Sequence, residues 1–449
     1  MKGYDNLTSD IPILGMTGAL GSGCSYLADG LRKHHQYLHV RLSEPIRALA
    51  KDRSLAPTAA NLQDIGDELR RDKGRHHLVE QALASADKAL TSPSNSSRPP
   101  GIVLDGIRNT GEIAALRQLP NFYLVSVQAD EAERRKRLVA TERCPDEGAF
   151  SEADRRDQQE RMPYGQEVRL CNDLADFVVI NDKALSPAAP EDFRHYLDDK
   201  LYDRFVNLVE RLARGEPVHE IRPSADEALM TAAYCESKRS SCLKRKVGAV
   251  IASSDGTVIA AAHNEVPQGS EPCIRHKDYL WCARDVIQEL VAQGLKHCPS
   301  CGQKIETAFA CAQCGEEVDG FKKRCPSCGG DPGIVYMCKC GLDVFRDWLP
   351  GRQPHAGKLL DVCRALHAEE NAILDLVSSG RGAPDEAVLY TTTFPCSLCA
   401  KKIVTVGIKN VVYAEPYPMD ESRELFLQAG VEVRRFEGVK STAYFRLYG

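Results

Sequence analysis

At 449 residues the chain exceeds one ordinary core, and at about 150 residues per domain it divides into roughly three units. It is 43% hydrophobic and 27% charged, with a mean hydropathy of -0.34, the composition of a globular protein. Its formal charge of -5 excludes a protein that coats nucleic acid through bulk charge, while leaving room for a local basic site. No run of about 18 apolar residues is present to span a membrane, and the opening MKGYDNLTSD lacks the basic-then-apolar plan of a signal peptide, so a cytoplasmic location is expected. Many of the 18 cysteines stand in close pairs, which in a reducing compartment reads as metal binding rather than disulfides.

In chain order, IPILGMT (11–17) is an apolar run leading into a Gly-rich turn and then a helix. GIVLDGI (101–107), NFYLVSV (121–127) and DFVVI (176–180) are short, nearly continuous apolar runs, as expected of parallel strands buried on both faces. SPSNSSRPP (92–100) reads as a surface loop. The turn after the first strand, Gly18-Ala19-Leu20-Gly21-Ser22-Gly23-Cys24-Ser25, has P-loop spacing in the strand–turn–helix context that the motif needs. Backbone N–H groups of such a loop cradle phosphates whatever its side chains, so Gly18, Gly21, Ser22, Gly23, Cys24 and Ser25 are the nucleotide-binding candidates. Cys24 occupies the lysine position, which removes the cation that supports phosphoryl transfer.

Residues 214–226 are polar and turn-rich and read as a linker. A helix is expected over 225–240, followed by a hairpin, VGAVIASS and TVIAAAHN, turning at Asp255-Gly256. Residues 295–345 lose hydrophobic periodicity. There Cys298-x-x-Cys301, Cys311-x-x-Cys314, Cys325-x-x-Cys328 and Cys338-x-Cys340 supply eight thiolates, the number for two tetrahedral structural zinc sites, with their pairing open. Lys322, Lys323 and Arg324 form a small basic patch there. From Leu366 onward helix and strand alternate.

His367-Ala368-Glu369 followed by Pro395-Cys396-x-x-Cys399 has the form H-x-E…P-C-x-x-C, the signature of zinc nucleobase deaminases. His367, Cys396 and Cys399 would leave one tetrahedral position open, as a catalytic zinc requires. Pro395 suits the first position of a helix, whose positive end favours the two thiolates. Glu369 is free to stand beside the metal and shuttle protons, while Glu370 lies on another face as a structural residue.

On these segments, with SKRSSCLKRKVGAVIA, HNEVPQG, CRALHAEENAIL and LFLQAGVEV, the C-terminal region resembles the deoxycytidylate (dCMP) deaminase family of the cytidine deaminase fold rather than the tRNA adenosine deaminases. The resemblance implies that Asn264 contacts the substrate nucleoside and that the protein is a homo-oligomer. Tyr417 matches a pocket tyrosine, and Glu265 stands where the family has glycine. Cys273, Cys282 and Cys363, with His276, resemble an auxiliary zinc site of some bacterial members.

Asp105, Gly106-Ile107-Arg108-Asn109, an arginine-rich lid (Arg143, Arg155, Arg156) and Ala175–Asn181 resemble small-nucleotide kinases. The expected class is therefore α/β: a P-loop NTPase-like parallel-sheet domain over 1–215, a linker over 216–224, and a cytidine deaminase-like α/β/α sandwich over 225–449 with a zinc-ribbon insertion at 295–345. The whole layout resembles bacterial anti-phage deoxycytidylate deaminases. That implies zinc-dependent deamination of dCMP and dCTP, one catalytic and about two structural zinc ions, and control by a nucleotide at the P-loop or a small RNA. A nucleic-acid sensor and a polynucleotide-editing deaminase are the competing classes.

Overall fold

The computed structural model describes residues 10–91, 98–141, 143–144, 146–158, 162–182, 190–218, 220–270, 363–380, 382–383, 386–417 and 419–448. Within 271–362 it describes 282, 298, 301, 303, 306–311, 316, 324–329, 332–337 and 340. The chain forms two compact units. The first comprises Met1–Ala232, Val411–Pro416 and Val433–Gly449, the second Ala233–Asn410 and Tyr417–Glu432.

The first unit is built on strands β1 (Ile13–Thr17), β2 (Leu38–Arg41), β3 (Ile102–Ile107), β4 (Phe122–Gln128) and β5 (Phe177–Ile180). They are parallel in the order β5-β4-β1-β3-β2, and all four predicted apolar runs are among them. Side chains alternate between faces, so adjacent residues of one strand enter different cores. Ile13, Ile102, Leu104 and Phe122 pack with Leu69, Leu78 and Leu83 of helices α3 (Ala59–Lys73) and α4 (His77–Thr91). Leu14, Met16, Val103 and Val125 pack on the other face with Leu27 and Leu31 of α1 (Cys24–His35) and with Leu201 and Phe205 of a π-helical segment, Asp198–Val206. The helices α2 (Glu44–Asp52), α5 (Thr110–Leu116), α6 (Glu131–Ala140), α7 (Glu147–Gln158), α8 (Val168–Asp173), α9 (Pro190–Leu197) and α10 (Asn207–Ala213) also belong to this unit, and α11 (Ala225–Arg239) runs from it into the second.

In the second unit β6 (Gly248–Ala252) pairs antiparallel with β7 (Val258–His263), the expected hairpin, with Gly256 at φ 84°. Strands β8 (Glu306–Cys311) and β9 (Pro332–Met337) form a separate antiparallel ribbon. Helix α12 (Ala368–Ser378) buries Ala372, Ile373 and Leu376, and β10 (Val388–Thr393) pairs antiparallel with β6. Helix α13 (Ser397–Thr405) buries Cys399, Ala400 and Ile403, and Phe394 meets Phe426 of α14 (Asp420–Gln428) edge-on at 6.2 Å. Strands β11 (Asn410–Glu415) and β12 (Glu432–Arg435) carry the chain back toward the first unit.

The grouping differs from a division at 216–224. The last residues return to the first unit, where β13 (Gly438–Val439) adds an antiparallel edge to β5 and α15 (Ser441–Tyr448) buries Ala443 and Leu447. Val439 N–H donates to Glu227 at 2.7 Å, and Ile180 N–H donates to Glu437 at 2.9 Å. Glu437 also pairs with Lys200 at 2.5 Å. These contacts satisfy an edge that would otherwise present unpaired N–H and C=O groups.

Candidate active site

His367 is the N-cap of α12, in extended backbone conformation (φ -76°, ψ 159°), so its imidazole is directed by the cap rather than by a helical face. Glu370, three residues on, accepts from the His367 N–H at 3.4 Å and pairs with Lys402 of α13 at 2.8 Å, which ties the two ligand-bearing helices together. Glu370 is thus the structural residue its position suggested. Cys396 is itself the N-cap of α13, so Pro395 lies one residue before the cap rather than at the first helical position as expected. The reason is that a cap residue with an extended backbone sends its sulfur, like that of Cys399 one turn on, toward the helix start.

His367 Nδ1 lies 3.2 Å from Cys396 Sγ and 3.3 Å from Cys399 Sγ. Ligands at about 2.0 Å (nitrogen) and 2.3 Å (sulfur) around a tetrahedral zinc are separated by a similar distance, so one nitrogen and two sulfurs fit that ion. Hydrogen bonding with Cys399 draws the Cys396 thiol down to about 4, and the same bond holds the Cys399 thiol well above its ordinary range.

Glu369 is buried beside this group. Its carboxylate accepts from Cys399 at 3.6 Å and from Thr391 of β10 at 3.5 Å, and burial raises its pKa. A carboxyl so placed can exchange a proton with anything entering the adjoining cavity. That cavity, about 170 Å³, is lined by His367, Glu369, Asn264, Tyr417, Lys244 and Arg245 among others. Asn264 lines it with its amide tied to the neighbouring backbone: it donates to Arg245 O at 2.9 Å and accepts from Val247 N at 2.8 Å. Glu265 turns away to bond Ser241 N at 3.0 Å and Val266 N at 2.9 Å. Sequence reasoning missed Thr391, Lys244 and Arg245. The basic run Lys244-Arg245-Lys246 was the available signal, since Arg245 sits 5.7 Å over the Tyr417 ring at the cavity.

The P-loop is prebuilt. Gly23 caps α1 at φ 104°, and a Cβ there would stand 2.2 Å from Asn181 Nδ2; a Cβ on Gly18 would meet Val127 O at 2.2 Å. Loop carbonyls are held from outside: Arg134 donates to Leu20 O, Arg137 to Gly21 O and Ser22 O, and Asn181 to Ser22 O at 2.7 Å. Asn181 is thus a brace of the loop. The N–H groups of the first turn of α1, at Cys24 and Ser25, have no intrahelical acceptor and border a cavity of about 350 Å³. Cys24, at the lysine position, approaches Ser22 Oγ at 3.5 Å, and burial pushes its thiol up to about 12.

Buried Asp157 accepts from Leu20 N at 2.8 Å and pairs with Arg108. Of the three lid arginines only Arg143 lines the cavity. Arg155 is spent on Glu152 at 2.7 Å, and Arg156 on Asp64 at 2.7 Å and Asp67 at 2.8 Å, because both project from α7 toward neighbouring acids.

In the cysteine-rich insertion Cys298, Cys301 and Cys340 come together, as do Cys311, Cys325 and Cys328. Cys314, Cys338, Lys322 and Lys323 lie outside the described residues, as do Cys273 and His276 of the auxiliary zinc set. Arg324 is exposed, Cys282 is buried, and Cys363 lines the cavity beside His367 and Glu369. No helix among the described residues is long and apolar enough to cross a membrane.

His367, Cys396 and Cys399 close on the buried Glu369, a donor set that fits one zinc ion with a proton-exchanging carboxyl at its side. Residues 223–415 match the family model for the cytidine and deoxycytidylate deaminase zinc-binding region. Over 234 residues the chain is 29% identical to the deoxycytidylate deaminase of Schizosaccharomyces pombe, covering 51% of this chain and 50% of that protein. The deoxycytidylate deaminase of phage T4 is 28% identical over 203 residues, covering 45% and 84%. The chain spans about half the length of the first yeast relatives it matches, 50% and 46%. In its N-terminal part the chain belongs to the UPF0200 family: it is 33% identical over 172 residues to the UPF0200 protein of Methanothrix thermoacetophila, covering 36% of this chain and 88% of that protein.

Proposed function

We propose that the chain is a hydrolytic deaminase of deoxycytidine nucleotides, acting on dCMP and also on dCTP. The observation that carries this reading is the convergence of His367, Cys396 and Cys399 beside the buried carboxyl of Glu369, in a cavity that also holds Lys244 and Arg245. His367, Cys396 and Cys399 would hold the zinc, which when bound supplies the Lewis acidity that activates water. Glu369 takes a proton from the attacking water, passes it to the ring nitrogen N3, and then serves the departing amine, so a C4–O bond forms as C4–N breaks and ammonia leaves. Burial suits Glu369 to both directions of transfer, because it brings the carboxyl closer in proton affinity to its partners.

A cavity of about 170 Å³ suits one base, with the remainder of the substrate reaching its cationic side. Asn264 and Tyr417 border the nucleoside, Asn264 held rigid by its two backbone bonds. Lys244 and Arg245 meet the phosphate. The P-loop domain binds the phosphates of a second, regulatory nucleotide and transfers phosphoryl groups poorly, because the neutral Cys24 replaces a cation. The metal inventory in this reading is one catalytic ion and two structural ions, and the protein assembles as a homo-oligomer. In the cell, such an enzyme would deplete deoxycytidine nucleotides during phage infection, a role supported by the resemblance of the two-part layout.

The test is direct. Purified full-length protein is incubated with dCMP, dCTP, CMP, single-stranded DNA and RNA, and uracil products are measured. Deamination of the free deoxynucleotides is expected; product from polynucleotides alone would overturn the reading, and copurifying RNA would add a nucleic-acid partner.

A further inference from the structure

The paired cysteines of the insertion lie outside the deaminase site, and the register of one ribbon decides how they combine. β8 and β9 run antiparallel, with Glu306 opposite Met337 and Cys311 opposite Pro332. In an antiparallel pair, the chain entering the first strand lies beside the chain leaving the second. At the other end, the chain leaving the first lies beside the chain entering the second. Cys298 and Cys301 enter β8 and Cys340 leaves β9, whereas Cys311 ends β8 and Cys325 and Cys328 precede β9.

The sulfurs follow that rule. Cys298, Cys301 and Cys340 form one group, and Cys311, Cys325 and Cys328 another, each with its sulfurs within 4.8 Å of one another. Cys298 Sγ is 3.6 Å from Cys340 Sγ, and Cys311 Sγ is 3.3 Å from Cys328 Sγ. A disulfide would require about 2.0 Å, whereas two sulfurs bound at about 2.3 Å to one tetrahedral zinc stand about 3.8 Å apart. Two of the turns also close alike: Cys298 N–H donates to Gln303 O at 2.6 Å and Cys311 N–H to Glu316 O at 2.8 Å, each across the same five-residue step. In the first of these turns the sulfurs of Cys298 and Cys301 fall in one group.

We propose that the insertion holds two separate four-thiolate zinc sites in nested order, the first cysteine pair joined to the fourth and the second to the third. The proposal rests on the reading that these thiolates hold metal, and it adds the connectivity that spacing leaves open. Three sulfurs are placed at each site, and Cys338 and Cys314 are the remaining thiols of the fourth and second pairs. Sequential pairing would require Cys311 to reach Cys298 from the far end of β8, five residues or about 17 Å away. The same span keeps the ions apart, so no thiolate bridges them. With four thiolates and no open position, each site is structural: it clamps one end of a ribbon that is too small to build a core.

The test counts zinc in full-length protein by elemental mass spectrometry. Wild type is expected to carry about three ions per chain, one of them catalytic. The double variant Cys298→Ser/Cys340→Ser, which strikes one nested site, should lose about one ion, while Cys298→Ser/Cys311→Ser, which strikes both, should lose about two. The reverse pattern means sequential pairing and overturns the proposal. A wild type carrying about one ion overturns the underlying reading as well. Because a double variant can lose its fold, the cadmium-113 form of the wild type gives a second readout. Cysteine β-protons of Cys298 and Cys340 should correlate with one cadmium, and those of Cys311 and Cys328 with a second that shows no coupling to the first. Correlation of Cys298 and Cys311 with one ion, or cadmium–cadmium coupling, sinks the proposal.

Discussion

Glu369 is 4% exposed, held between the Thr391 hydroxyl and the Cys399 thiol, with no cation paired to its carboxylate among the interactions described. Glutamine fills the same volume and can still accept from Thr391, but it cannot take up a proton. Glu369→Gln should therefore lower dCMP turnover by about 10²–10⁴-fold while zinc content stays unchanged. Equal turnover in the variant, with product followed by chromatography, would remove Glu369 from the mechanism.

Cys24 makes the opposite case, a thiol in a functional loop that is held inert. Burial raises it from 9.0 to about 12, with the carboxylate of Asp105 adding to the effect. The thiolate fraction at pH 8 then falls to roughly one in 10⁴, so Cys24 should be alkylated far more slowly than exposed Cys235, as mass spectrometry of iodoacetamide-treated protein would show. Because the folded value lies above the unfolded one, this thiol's contribution to stability is complete below pH 9 and declines as pH rises toward 12. Cys24→Ala should lose that part of the alkaline slope; fast labelling of Cys24 at pH 8 would contradict the burial argument.

At the scale of elements, the C-terminal return is the feature that sequence patterning did not disclose. β13 is two residues long, too short for any periodicity, and its partners Phe177 and Val178 lie more than 250 residues earlier. Only the surroundings of the segment, such as Glu227 accepting from Val439, explain why it docks there. By contrast, β1, β3, β4 and β5 were legible because strands covered on both faces must be apolar throughout, and the 255–256 turn because few residues tolerate its backbone. The grouping of His367 with Cys396 and Cys399 was legible because a shared metal would demand that spacing. Lys244, Arg245 and Asp157 were not, since a cation or an acid in a polar segment looks the same whether it faces solvent or a cavity.

The return can be tested through α15, where Leu447 is 1% exposed in the core that holds Leu14 and Phe205. Leu447→Ala should cost about 2–5 kcal/mol of local stability, whereas Leu427→Ala, at a position 81% exposed, should stay within about 0.5 kcal/mol. With two compact units a single unfolding free energy is ill defined, so amide hydrogen exchange at Val178 and Ile180 is the appropriate readout. Faster exchange at those amides in the Leu447 variant alone is expected; unchanged exchange would mean that the segment does not stabilise the β5 edge.

At the scale of the whole molecule, the chain passes between its two units four times, after Ala232, Asn410, Pro416 and Glu432. A covalent path that is crossed repeatedly gives a ligand in one unit several routes by which to alter the populations of the other, provided its affinity differs between them. In the proposed reading the P-loop is the input; its carbonyls are fixed by Arg134, Arg137 and Asn181, so that anion binding would need no rearrangement of the cradle. Gly23→Ala blocks that input at its narrowest point: the added Cβ meets Asn181 Nδ2 at 2.2 Å on a backbone at φ 104° that alanine resists. If the P-loop governs the deaminase, added nucleoside triphosphate should change the kcat or KM for dCMP of the wild type by about 5-fold or more. It should leave the Gly23 variant unresponsive, with its zinc content and basal turnover intact. Equal responses in the two proteins would place the nucleotide effect at the deaminase cavity itself and leave the P-loop without a regulatory part.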